Sequence, residues 1–446
     1  MPSVTDGVLF AAMENKYYRR VAGGTWEGFS QGDTRLHFRM MGLRDIVARG
    51  EAVSPVDAAI HRIQETQVVQ YAGPLAGHKS GLREVNGVKI LVTKDPVFPA
   101  PARGVFPVTR ALLDNMFEWN SEQCNFLLGW LKYGYESYHY GKHRPGQIVA
   151  IAGEKDSGKS FIQGVLFTEC FGGRTADPMR YMSGRSDFNS DLAAAEHLMI
   201  EDAVASTKLD VRRHFGSVSK QFAVNMKHSI HGKFVNALTL DPRWRVSITL
   251  NKEPENICGL PPLDESLEDK LALLLADKKP MPMPVSTLDE KEAFARTIRA
   301  EVPALCHWLL GWSPPAGQAC PRFGVVAYHH PVMLEALQDQ APEIKLMALI
   351  DRCPVFKLAQ GRDGLPAWGT DAVRVTAEEV EHALSSDDAT RFSATRLFTW
   401  QNACGTYLGR LAGSPKYRGR VVKADSNRER AWLIYPPGTE PADQPF

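Results

Sequence analysis

The chain has 446 residues, 44% of them hydrophobic and 23% charged, which is enough for two to four folding units with sizeable cores. That composition excludes collagen-like, mucin-like and wholly disordered chains. Lys and Arg total 52 against 51 Asp and Glu, for a net charge of +1, so overall charge points to no partner and any electrostatic footprint has to come from local clustering.

Seven cysteines, an odd number with no CxxC pair, predict reduced thiols rather than a disulfide frame. The opening MPSVTDGVLFAAMENKYYRR lacks a basic segment followed by an apolar one, as an export signal requires. No apolar run reaches the roughly 18 residues of a membrane span. The expectation is a soluble, cytoplasmic chain with no membrane partner.

In chain order, residues 1–104 mix strand-like runs such as Gly7–Phe10 and Val88–Val92 with turns, predicting an α+β region without a chemical motif. Across 105–145 the apolar residues Leu112, Leu113, Met116, Phe117, Phe126, Leu127, Trp130 and Leu131 recur three and four apart, a helical spacing. An apolar strand, Gln147–Ala152, leads into a glycine loop, and alternating strands and helices continue to about 315, as in an α/β domain. The Pro-rich stretches 280–284 and 314–322 read as loops.

Residues 340–436 look like a winged helix. A helix over Ile344–Asp351 precedes a strand at Val373–Val375, and Thr376 with Glu379 can form a capping box for a helix over Ala377–Leu384. A helix over Phe398–Leu411 and a hairpin of Arg420–Lys423 with Arg430–Tyr435 follow. Between Arg391 and Arg430 nine Lys/Arg face two acids, which suits phosphate contact and groove insertion. The candidate contacts are Arg410, Lys416, Arg418, Arg420, Lys423 and Arg428. A protein-docking winged helix with a solvated basic face fits the same order.

The strongest chemical signal is Gly153-Glu154-Lys155-Asp156-Ser157-Gly158-Lys159-Ser160, after a strand and before an amphipathic run that starts at Phe161. This is the Walker A pattern in the strand–loop–helix setting it needs. Its glycines let backbone N–H groups wrap phosphates at a helix N-terminus. Lys159 would reach the β- and γ-phosphates and Ser160 would hold Mg²⁺, so ATP and Mg²⁺ are the expected cofactors. A second site needs carboxylates on a neighbouring strand. His197-Leu-Met-Ile-Glu201-Asp202 supplies two, with metal and base roles assigned jointly. A third strand, Trp244–Leu250, ends at Asn251, an amide suited to orienting a lytic water beside the γ-phosphate.

Together these residues resemble the superfamily 3 helicases of small DNA viruses, phages and mobile elements, built on an AAA+ core. The likeness is strongest to the helicase part of phage and poxvirus-type primase-helicases. It rests on GEKDSGKS, on Asp187–Leu192 leading into LMIED, and on ITLNKEP, while the Glu-Asp order at 201–202 looks like that of tumour-virus large T antigens. The resemblance implies an AAA+ P-loop core over 146–315, with 105–145 as an oligomerising collar unless its aromatics are core. It further implies a ring, most simply a hexamer, with ATP bound between subunits, and a pore hairpin gripping DNA with a Lys-His pair.

The matching stretch, Phe222–Val235, turns near Gly232 and offers Lys227, His228 and Lys233, compact charges for backbone phosphates. A zinc pair of His228 and His231, or a plain solvated hairpin, is the competing reading. One departure stands out: Asn251–Lys270 contains no Arg for the finger that completes a neighbour's site. Arg243, Arg245 or Lys270 would have to serve, or ATPase activity is weak. The function implied is an ATP-dependent, ring-forming DNA helicase or translocase on single-stranded or forked DNA. It would act in replication of a phage, satellite or mobile element in a bacterial host, alongside a primase or polymerase. The alternatives are a DNA-binding initiator or defence ATPase that uses ATP as an assembly switch, a DNA-binding regulator with a vestigial loop, and RNA as substrate.

Overall fold

The structure is a computed structural model. It describes residues 5–201, 209–232, 236–338, 341–357, 359–360, 366–369, 371–414, 417, 419–424 and 430–438. The chain forms two compact units, residues 1–333 and 334–446. Among the described residues no helix is long and apolar enough to cross a membrane.

The first unit begins with two small sheets. One has the strand order Trp26–Phe29, Lys16–Arg20, Val8–Ala11, Val68–Val69, and the other Tyr71–Gly73, Val88–Val92, Gly81–Val85. The helices Gln31–Met40 and Pro55–Thr66 bury Phe38, Val56, Ile60 and Ile63 together with Val8 and Tyr17.

The helical spacing over 105–145 resolves into two helices, Pro107–Phe117 and Glu122–His139. They are separated where Glu118 and Asn120 take positive φ, 57° and 69°. The second helix buries fourteen of its eighteen residues. Its aromatics join the core that also holds the loop strand and the helix after it. Phe126, Trp130, Tyr135 and Tyr138 of this helix are buried, in keeping with the core role that the sequence offered beside a collar.

That core rests on a five-stranded parallel sheet ordered Leu271–Ala276, Ile148–Gly153, Arg245–Asn251, His197–Ile200, Thr175–Ala176. The central strands are buried almost throughout because both faces are covered, and Ile148–Gly153 and Leu271–Ala276 are wholly apolar as a result. The sensor strand, Arg245–Asn251, pairs with the loop strand on one side and with the acid strand, His197–Ile200, on the other. The acid strand is therefore next but one to the loop strand, not its immediate neighbour as expected from the sequence. In a parallel sheet all three C-terminal ends share one edge, so Gly153, Glu201 and Asn251 still open on the same side.

The second unit contains helices Pro342–Arg352, Ala377–Ser386, Arg391–Leu397 and Ala403–Gly413 and an antiparallel sheet ordered Val373–Thr376, Ala431–Ile434, Val421–Ala424. The Thr376–Glu379 capping box is present. The single helix expected over Phe398–Leu411 starts at Ala403 instead, after Asn402 in a left-handed conformation. Tyr407, Leu408, Leu411, Val421 and Ile434 are fully buried and hold helix and sheet together.

Candidate nucleotide site

Gly153 closes the loop strand between Asn251 and Ala276, its register partners on either side. A Cβ there would meet the Ala276 carbonyl and Ser157 Oγ at 2.9 Å, so only glycine permits the loop to leave the sheet at this point. Asp156 and Gly158 have φ of 64° and 89°, which turns the backbone before the helix begins at Lys159. Three consecutive segments carry the chain on: Lys159–Phe161, a π-helical stretch Ile162–Phe167, and Thr168–Cys170.

Lys159 is 5% exposed, and its ammonium is turned into the loop. Nζ donates to the carbonyls of Gly153 at 3.0 Å and Glu154 at 2.6 Å, and lies 3.5 Å from both Ser157 Oγ and Asn251 Oδ1. Carbonyl oxygens of the loop thus help to fix a positive charge where phosphates would sit, so little reorganisation is needed to meet an anion. Glu154, Lys155, Asp156 and Ser160 are exposed and Phe161 is half-buried. Phe161 stacks on Phe294 at 4.4 Å. Glu154 pairs with Lys252, one residue beyond Asn251, at 2.6 Å, and that hydrogen bond holds its carboxyl below the usual carboxylate range. Met281, from the first Pro-rich stretch, covers Gly158.

Glu201 follows the acid strand and is exposed. With strands about 4.8 Å apart, two steps across the sheet put its backbone about 10 Å from the loop strand, a gap that its side chain and a phosphate group can close between them. Asp202 lies outside the described residues.

The hairpin forms from His228–Ile230 and Leu238–Leu240, but its register corrects the expected tip. His228 pairs with Leu240 at the base. It is 7% exposed, packs against Phe222 and Trp244, and donates from Nε2 to Asn225 O at 3.0 Å. Its ring is committed to the fold, not to a phosphate or a metal. Lys227 is exposed but also at the base, hydrogen-bonded to Asn86 Oδ1. Lys233 lies outside the described residues. Asn189, from the Asp187–Leu192 segment, braces this hairpin, accepting from His231 N at 2.7 Å and donating to Ser229 O at 3.0 Å. Among the described residues no group of three or more His, Cys, Asp or Glu could hold a metal.

Burial lowers the pKa of His228 to about 4, of His143 to about 4 and of His197 to about 3. Each is neutral in the fold and protonates more readily once unfolded, near the ordinary 6.5. Stability should therefore fall as pH drops from about 6.5 towards 4, because the unfolded chain takes up the extra protons. Urea denaturation at pH 7.5 and pH 5 checks this, with the lower midpoint expected at pH 5.

The finger candidates divide. Arg245 is 2% exposed, and its guanidinium donates to the carbonyls of Trp244, Tyr133 and Arg144 at 2.9, 3.2 and 3.1 Å. It cannot reach another subunit, and that expectation is withdrawn. Arg243 is half-buried and bound to the Gly141 carbonyl at 2.7 Å and the Gly77 carbonyl at 3.1 Å. Lys270 binds the Ser266 carbonyl at 2.8 Å and Asp269.

Of the basic residues in the second unit, Arg420 is also structural. Its guanidinium grips Asp351 with bonds of 2.9 and 2.6 Å and lies 3.3 Å from the Tyr435 carbonyl, with its side chain 15% exposed. Replacing it with alanine should cost about 1–2 kcal/mol in this unit, read as faster amide exchange in Val421–Ala424 and Ala431–Ile434. Arg410 is exposed, 3.6 Å from Glu343, and Lys423 is exposed on its strand. Lys416, Arg418 and Arg428 lie outside the described residues.

Sequence reasoning missed a polar set behind the loop, the buried Gln163, His197, Ser247 and Thr249 with the half-buried Thr168. A signal was available, since Ser247 and Thr249 alternate along an otherwise apolar central strand on the same face as Asn251.

No protein-family model matches the chain, and no curated protein matches it. Its fold is shared with solved structures. The A form apo structure of the NrS-1 C-terminal region aligns over 97% of each chain at 15% identity and a TM-score of 0.54. A second apo structure of the NrS-1 C-terminal region covers 97% of this chain and 96% of that one at 14% identity and 0.53. The active helicase Cch of SCCmec type IV covers 96% of this chain and 92% of its own at 7% identity and 0.42, too distant to argue from. The likeness is one of fold: a mixed α/β chain built on a parallel P-loop sheet.

Proposed function

We propose that this chain is an ATP- and Mg²⁺-dependent, ring-forming DNA helicase acting in replication of a phage, satellite or mobile element. The observation that carries the reading is the convergence at one sheet edge of a glycine loop, the buried ammonium of Lys159 and the amide of Asn251, 3.5 Å apart, with Glu201 on the next strand. The residues fit the nucleotide and its metal. A Cβ at Gly153 would displace Ser157 Oγ of the loop, so the loop keeps its shape only with glycine there, and Ser160 with Glu201 offers the hard oxygen donors that Mg²⁺ takes.

When bound, MgATP supplies the phosphoanhydride and the charge that neutralises its own phosphates. Lys159 and the loop N–H groups would hold the β- and γ-phosphates, and Ser160 with Glu201 and Asp202 would hold the metal. Glu201 would take the proton of the attacking water, which the Asn251 amide orients. With Arg245 buried, Arg243 and Lys270 remain as groups reaching a neighbour's phosphates. DNA contact is assigned to Lys227 at the base of the hairpin, to Lys233, and to a winged helix carrying Arg410, Lys416, Arg418 and Lys423.

ATP hydrolysis with and without single-stranded DNA, run beside strand displacement on a forked duplex, tests the reading. DNA-stimulated hydrolysis with displacement is expected. Hydrolysis and DNA binding without displacement would instead support an assembly switch.

A further inference from the structure

Lys159 begins a ladder of contacts that continues down the helix. Gln163, one turn on, is fully buried. Its Nε2 lies 2.9 Å from Ser247 Oγ, 3.1 Å from Ser247 O and 3.2 Å from Ile200 O, and its Oε1 accepts from Thr249 Oγ1 at 3.2 Å. Ile200 immediately precedes Glu201, and Thr249 stands two residues before Asn251 on the same strand face. One amide therefore ties the loop helix to both strands that carry the other candidate site residues.

A second chain of bonds closes back on the same residue. His197 Nε2 lies 2.7 Å from Ser247 Oγ and Nδ1 lies 2.8 Å from Thr168 Oγ1. Thr168 Oγ1 donates to the Gln163 carbonyl at 3.2 Å, so it accepts from His197 Nδ1–H, and Nε2 accepts the Ser247 hydroxyl proton. Every member then has a partner of the right sign. Burial keeps the imidazole neutral, as this arrangement requires. The Thr168 N–H also reaches the Gln163 carbonyl, five residues back. That is the π-type bond which turns Gln163 and Thr168 towards the same strands, and π-helical stretches of this kind recur at functional sites.

We propose that Gln163 is a positioning residue for nucleotide hydrolysis, setting the register of the Lys159 helix against Glu201 and Asn251 through Ile200, Ser247 and Thr249. This rests on the nucleotide reading above. A helix free to slide on the sheet would move Lys159 and Ser160 away from groups on other strands, and misplacement of about 1 Å costs on the order of a hundredfold in rate.

The test uses the full chain and reports kcat and KM for ATP per ADP-binding site, so that unfolded molecules do not count. Gln163→Met keeps the volume and removes the amide. It should lower kcat by about tenfold or more with KM within about threefold. Thr249→Val removes only the bond to Oε1 and should lower kcat by a smaller factor, whereas Thr249→Ser keeps the hydroxyl and should retain wild-type kcat. If Gln163→Met does not fold, the Thr249 pair decides. Wild-type kcat per site in Gln163→Met, or in Thr249→Val where the first does not fold, overturns the positioning role, provided that wild type hydrolyses ATP and Lys159→Ala does not. If wild type itself neither binds ADP nor hydrolyses ATP, the nucleotide reading fails, and this inference fails with it.

Discussion

Lys159→Ala should abolish ATP turnover, by about a hundredfold at least, while the fold survives. The ammonium is a buried charge at the loop mouth, and its hydrogen bonds to Gly153 and Glu154 are to carbonyls of the loop itself. Removing it leaves those carbonyls beside Ser157 and the open side of the loop, so the structural penalty is small. The catalytic penalty is large, because a fixed positive charge at developing phosphate charge is worth about 10²–10³ in rate even when one donor of several is lost. Steady-state hydrolysis with purified variant and wild type, matched by thermal melting, checks it. A variant that melts like wild type and turns over ATP at the wild-type rate would remove the nucleotide assignment altogether.

Trp130→Ala should be severely damaging to stability. The indole is 2% exposed and meets Phe167 and Phe171 edge-on at 5.2 and 5.1 Å. Its Nε1 donates to the Gln147 carbonyl at 2.8 Å. Truncation should cost about 3–5 kcal/mol for the lost burial and the cavity, with a further penalty for the carbonyl left unpaired. Against the 5–15 kcal/mol that is usual for a folded domain, that is a large share. Trp130→Phe keeps most of the contact and should cost roughly half as much. Urea midpoints at constant slope read the difference. Gln147 directly precedes the loop strand, so the damage should extend to nucleotide binding.

What could be read from the linear chain shares one property: it depends on neighbours in sequence. The loop at 153–160, the strand before it and the helix after it are contiguous, so spacing and apolar pattern were sufficient. The capping box at Thr376 and Glu379 was legible for the same reason, as were the strand ends at Glu201 and Asn251. The Lys227–His228 pair shows the limit. Its composition suits a phosphate-gripping tip, but a hairpin's register follows from which residues its partner strand presents, and pairing with Leu240 carried His228 into an aromatic pocket. Arg245 and Arg420 were read as surface charges because arginine usually is one. Each instead satisfies carbonyls or a carboxylate supplied from far along the chain.

The amino-acid sequence by itself determined that a glycine loop with a lysine leaves a buried parallel strand, and that an acidic and an amide strand end follow it. Tertiary structure alone decided that the amide strand lies between the other two, and that Gln163 binds the acid strand and the amide strand at once. The reason is physical. Local pattern specifies which face of an element is buried, whereas strand order and side-chain hydrogen bonding are settled only when distant segments compete for the same sheet edges and the same buried donors and acceptors.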